Sequence, residues 1–179
     1  RTTEMTLTGD GNLCPQFERI AYTVHVCTPT GGTVSPGPGS HSYDCGSGPI
    51  PIQATPAQHC RFKQWTFGRG VTVANPTSAS TTMTVSSPPP TIPPRTGYLC
   101  PVFEKKMVTV PDLIGMDASA VGAVLDAAEL VIGTKRYGPS DIEPGLVYDR
   151  NPKAAATVEA GADVDITISQ FEPPGPIYV

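Results

Sequence analysis

LCPQFER (Leu13–Arg19) and LCPVFEK (Leu99–Lys105) are near-copies of one heptad, each with a cysteine before a proline. The likeness extends upstream, where TTEMTL (Thr2–Leu7) faces TTMTV (Thr81–Val85). It extends downstream too, where FERIAYTV (Phe17–Val24) faces FEKKMVTV (Phe103–Val110). Only the spacers differ, GDGN (Gly9–Asn12) against SSPPPTIPPRTGY (Ser86–Tyr98). Internal repetition marks where structural units begin and end. If the heptad closes a unit, residues 1–19 are the closing strands of a unit whose opening strands are not in this chain. Residues 20–105 then form one whole unit, residues 107–170 a second, and residues 171–179 a C-terminal extension. The proline-rich stretch becomes a loop between two strands of one unit instead of an extended interdomain linker. GDGN, a tight-turn sequence, is the short version of the same connection.

The units of roughly 85 and 65 residues are each near the size at which a hydrophobic core is marginally stabilising. Net charge is −4, unevenly spread: residues 1–106 carry eight Lys/Arg against five Asp/Glu, and residues 107–170 carry four against ten. An acidic half beside a mildly basic one argues against nucleic acid and anionic membrane surfaces as partners. No apolar run approaches the roughly 20 residues that span a bilayer, so no membrane insertion is expected. Arg1 stands first and no signal pattern follows it, which reads as a processed or excised segment.

The five cysteines, Cys14, Cys27, Cys45, Cys60 and Cys100, all lie in the first 100 residues. Their spacing has no CxxC and no Cys/His cluster of zinc type, so disulfides in an oxidising compartment are expected and a metal is not. Four belong to the 20–105 unit, where two bridges have three connectivities open to them. Cys14 is left over and points to an intermolecular bridge or a partner outside the chain.

In the first whole unit, YTVHV (Tyr22–Val26) alternates as a strand does. Turns follow, around short extended pieces at Gly32–Ser35 and His41–Cys45. PIPIQATP (Pro49–Pro56) puts Ile50, Ile52 and Ala54 on one face, and its prolines predict a sheet edge. RFKQWTF (Arg61–Phe67) places Phe62 opposite in phase to Lys63 and Trp65, and a single helical turn is expected near Ala57–Cys60. In the second unit Asp117 reads as the N-cap of a helix of about 13 residues, with Val121, Val124, Leu125 and Ala128 on one apolar stripe. Strands are expected around Gly145–Arg150 and Asp163–Ser169, giving a mainly β unit followed by an α+β unit.

The segment YTVHVCTPTGGTVSPGPGSHSYDCGSGPIPIQATPAQHCRFKQWTF resembles the divergent InlB B-repeat of bacterial surface proteins, through YTVxV, the GGTVSP turn, ATPAxxxxF and the tryptophan after it. That resemblance covers about residues 21–104. It implies a small β-grasp-like module, repeated in tandem in secreted and cell-wall proteins, without catalytic residues. A β-grasp-like unit would set its first and last strands side by side, which favours Cys27–Cys100 and, with it, Cys45–Cys60. His59-Cys60 replaces the glycine-aromatic pair usual before the phenylalanine, and the Pro88–Pro94 loop is long. The order VPDLIGM, LDAAEL, PGLVYDRNP, TVEAGADVDITIS over about Val108–Gln170 resembles the PASTA domain of penicillin-binding proteins and serine/threonine kinases. The resemblance implies one helix on a three-stranded sheet, with weak recognition of peptidoglycan fragments or β-lactams in some members and a spacer role in others. Glu129 stands where that family usually ends its helix with glycine, and Ala155 where a turn glycine is common.

No GxSxG, HExxH or glycine-rich phosphate loop occurs, so no enzyme and no cofactor are expected. His25, His41 and His59 read as surface or turn residues, and the pairs Asp141/Glu143 and Asp163/Asp165 as solvated carboxylates. Trp65 with Phe62 or Phe67 reads as core in preference to a carbohydrate platform. The sequence therefore points to a non-enzymatic structural protein of the cell exterior, built from tandem modules. Its expected partners are other copies of itself, met head-to-tail through terminal strands that carry Leu13, Cys14, Phe17, Ile177, Tyr178 and Val179. A peptidoglycan-binding or adhesive module of a bacterial surface protein is the alternative.

Overall fold

The computed structural model describes residues 21–44, 47–86 and 96–170, which contain thirteen strands and one helix. The first unit holds eight strands: β1 (Ala21–Val26), β2 (Gly32–Ser35), β3 (Gly39–Asp44), β4 (Ile50–Pro56), β5 (Cys60–Gly68), β6 (Val71–Val73), β7 (Ser80–Val85) and β8 (Thr96–Lys105). They form two four-stranded sheets, ordered β3-β1-β8-β5 and β2-β4-β7-β6. β1 and β8 run parallel, and the other pairs are antiparallel. One core lies between the sheets. Tyr22, Val24 and Val26 enter it from β1, Ile52 and Ala54 from β4, Trp65 from β5, Met83 and Val85 from β7, and Leu99 from β8. The period-two alternation legible in the sequence sends each of these inward. Gly32 admits the Phe103 ring, which a Cβ at that position would meet at 2.5 Å.

Three expectations for this unit are corrected. The unit consists of two facing four-stranded sheets, and its described residues contain no α-helix. Ala57–Cys60 is a tight turn, closed by the Cys60 N–H to the Ala57 carbonyl at 3.1 Å, with His59 in the left-handed region at φ 62°. β4 lies inside its sheet, not at the edge. Its partner β2 covers only Gln53–Pro56, so Pro51 sits where β4 has β7 alone beside it and the missing N–H breaks no second ladder. Phe62 and Trp65 share a face, with ring centroids 5.5 Å apart. The register of β5 against β8 slips between Phe62 and Gln64, so Lys63 is an extra residue that flips the phase of the strand.

Cys27, just past β1, is bridged to Cys100 on β8. Cys60 keeps its thiol. Cys45, its expected partner, lies outside the described residues.

The second unit comprises β9 (Met107–Thr109), α1 (Val121–Ala127), β10 (Val131–Pro139), β11 (Val147–Asn151), β12 (Thr157–Glu159) and β13 (Asp163–Gln170). One sheet is ordered β10-β13-β11, with β10 parallel to β13, and β12 pairs with β9. Val121 and Leu125 of α1 join Val164, Ile166 and Ile168 of β13, Val147 of β11 and Leu113 in a second core. The helix has seven residues instead of about 13. Asp117 is not its N-cap: the Asp117 carboxylate accepts the Ser119 N–H (2.8 Å) and hydroxyl (2.5 Å), closing a turn of its own. Ala120 occupies the cap without a side-chain hydrogen bond. The other end is a Schellman motif: the Leu130 N–H reaches the Leu125 carbonyl at 2.8 Å, and the Glu129 N–H reaches Asp126 at 3.0 Å. Leu125 and Leu130, the apolar pair of that motif, are both buried.

Two stability measurements check this packing. Trp65 is 2% exposed and its indole N–H donates to the Ser78 carbonyl at 2.9 Å. Trp65→Ala is expected to cost about 3–5 kcal/mol in urea unfolding, and a loss below about 1 kcal/mol is inconsistent with a core position. The Cys27–Cys100 bridge closes a sequence separation of 73 residues. Its replacement by two serines is expected to remove about 2–4 kcal/mol, and an unchanged denaturation midpoint counts against it.

Candidate functional site

The place where chemistry-bearing side chains gather is the junction of the two units. β8 ends at Lys105 and β9 begins at Met107, so Lys106 is the whole connection. Its N–H donates to the His59 carbonyl at 2.9 Å, and its carbonyl accepts the Ala160 N–H at 2.8 Å. The ammonium donates to both carboxylate oxygens of Glu129, at 2.9 and 3.0 Å. That amine is the chief reason the Glu129 carboxyl is held below the usual range, with burial opposing and His59 adding a smaller lowering. His59 Nδ1 lies 3.7 Å from Glu129 Oε2, too far for a hydrogen bond, and has no other partner although it is buried. The Gly161 N–H donates to the Glu129 carbonyl at 2.7 Å. A cavity of about 470 Å³ opens on this seam, bounded by Gln58 and His59 from the first unit and by Asp126, Glu129 and Val131 from the second.

Two of these residues hold unusual backbone conformations. His59 has φ 62° and Glu129 φ 57°, in the left-handed region where glycine is the least strained choice. Each costs on the order of 1 kcal/mol or more and persists only where the surroundings over-determine it. In the sequence His59 reads as a turn residue and Glu129 as a departure from a family glycine, and nothing in the letters links either to the other or to Lys106. Those two departures were the signal.

The remaining candidates are not brought together. Asp165 accepts the Thr134 N–H at 2.8 Å, and Asp163 is exposed. Among the described residues no group of three or more His, Cys, Asp or Glu side chains is placed to hold a metal. Trp65 is buried and offers no platform. His41 pairs with the Gly37 carbonyl at 2.6 Å, and His25 is exposed on β1. Arg150 is 7% exposed and reaches Asp112 at 3.0 Å, leaving its Nε unpartnered. The Cys60 thiol lines a small cavity of about 160 Å³ with Thr30, Gly31 and Phe103. Glu104, held below the usual carboxylate range first by the Lys63 ammonium and also by Arg61, rims the same cavity. Leu13, Cys14, Phe17, Cys45, Ile177, Tyr178 and Val179 lie outside the described residues.

Comparison with known proteins places this geometry. The model of the divergent InlB B-repeat domain matches residues 22–92, and that of the PASTA domain matches residues 108–170. Among curated proteins the chain is similar to a probable serine/threonine-protein kinase PknB of Corynebacterium glutamicum, 31% identical over 67 residues. That match covers 36% of this chain and 10% of the kinase, so the chain spans about a tenth of that relative's length. No solved structure matches the chain. The match to the first family stops before β8, yet β8 is the strand that joins β1 to β5 in the first sheet. The chain thus carries a divergent InlB B-repeat domain followed by a PASTA domain.

Proposed function

We propose that this chain is a non-enzymatic structural module of the bacterial cell exterior, in which two domains, residues 20–105 and 107–170, act as a length of a longer assembly. Both domain types are non-catalytic modules, and the Cys27–Cys100 bridge suits an oxidising compartment. The observation that carries the reading is the doubled heptad. Its second copy belongs to β8, an interior strand hydrogen-bonded on both sides. The first copy, Leu13–Arg19, spells the same kind of strand. Such a strand needs neighbours on both edges, because unpaired backbone groups invite pairing with another chain. A neighbouring unit would supply them by strand addition, with Cys14 in the position that Cys100 holds here and Ile177–Val179 as a second terminal strand. A head-to-tail contact of this kind does not close and builds fibres.

A second reading has its own support: the PASTA domain, and its likeness to a segment of a bacterial kinase, favour weak recognition of peptidoglycan fragments.

Two experiments separate the readings. Deleting residues 1–19 should leave a folded protein that no longer assembles, seen by light scattering and electron microscopy. Assemblies of undiminished length from the deleted protein would sink the strand-addition idea. Calorimetric titration with purified muropeptides should give weak saturable binding if the second reading holds, and a flat titration at millimolar ligand removes it.

A further inference from the structure

We propose that the two domains are locked into one rigid body by a clasp of His59, Lys106 and Glu129, and that His59 and Glu129 are kept at strained turn positions for that purpose. The inference rests on the two-domain reading and not on fibre assembly.

A one-residue connection would by itself be a hinge, since rotation about a single φ and ψ reorients everything beyond it. Two backbone bonds oppose that rotation, and neither alone is strong enough to fix it. The Lys106 N–H is spent on the first domain, at the His59 carbonyl, and its carbonyl on the second, at the Ala160 N–H. Turning the peptide on either side of Lys106 breaks one of these bonds. The side chain adds a third tie through its two bonds to Glu129. Gly161 adds contact: a Cβ there would stand 3.1 Å from the His59 ring, so the imidazole lies directly against the backbone of the second domain.

The strain pattern singles out the clasp from an ordinary seam. A left-handed residue at a Schellman C′ position is best filled by glycine, yet Glu129 fills it. A left-handed position in the β4–β5 turn is likewise best filled by glycine, and His59 fills that one. Within its own domain neither choice has a backbone rationale. Across the junction they meet, with 3.7 Å between Nδ1 of His59 and Oε2 of Glu129. Two unfavourable choices facing each other have one economical explanation, which is that each side chain is retained for the contact it makes with the other domain.

The test uses the whole chain and the variants His59→Gly, Glu129→Gly and their double. Glycine relieves the turn strain, so each domain is expected to keep its fold, verified by chemical shifts away from the junction. Residual dipolar couplings and ¹⁵N relaxation then read domain coupling. In the unsubstituted chain both domains should fit one alignment tensor and one rotational correlation time. The double variant should lose that common tensor and give each domain its own, with the shorter correlation time of an independently tumbling body. Separate tensors in the unsubstituted chain would overturn the proposal, as would a single tensor retained by the double variant. A rigid pair with a flat muropeptide titration leaves the clasp standing and removes only the ligand reading.

Discussion

Strand β8 is the constraint on which the rest of this molecule depends. It lies between β1, to which it runs parallel, and β5, to which it runs antiparallel, so the first sheet has no continuity without it. It sends Leu99 into the core, holds the disulfide through Cys100, and continues without a loop into Lys106 and the second domain. Parallel strands cannot be joined by a hairpin. The chain therefore has to build the whole second sheet, β2-β4-β7-β6, between laying down β1 and returning as β8. The disulfide then ties the start of that excursion to its end, which is where a cross-link restricts the unfolded chain most.

The second domain is organised differently. A seven-residue helix contributes only Val121 and Leu125 as buried residues, and an isolated helix of that length would not persist in water. Its stability comes from the shared core and from the Schellman closure at Glu129 and Leu130. That closure also aims the Glu129 carboxylate at Lys106, so one turn both ends a helix and meets the neighbouring domain. The acidic character of this half is mostly surface charge. Arg150 is the exception, nearly buried and paired with an exposed Asp112.

If the chain is a connector, its function resides in geometry more than in reactive groups. A module that works as a spacer or connector needs defined ends and a defined angle between its parts. The junction supplies the angle through backbone hydrogen bonds on both sides of a single residue. Lys106, His59 and Glu129 are partly exposed, and surface ion pairs in isolation contribute little. Their weight here comes from being combined with backbone bonds that already hold the same atoms in place.

The order of the two matched families, the alternation of the strands and the apolar stripes that feed the cores were legible along the chain. Each depends on local period or on short motifs: Tyr22, Val24 and Val26 face inward because a strand repeats every two residues. What the letters could not show was pairing between distant segments. The bulge at Lys63 flips Phe62 onto the face of Trp65 only because β5 must keep register with β8. The stagger of β2 against β4 decides that Pro51 is tolerated inside a sheet. The helix is shorter than its apolar stripe because Asp117 is drawn into a turn that bridges to Leu146. His59 and Glu129 are 70 residues apart, each a departure from a family glycine that names no partner. Only the tertiary fold sets them face to face, because contact is a property of where two strands and a turn are held in space and not of any spacing along the chain.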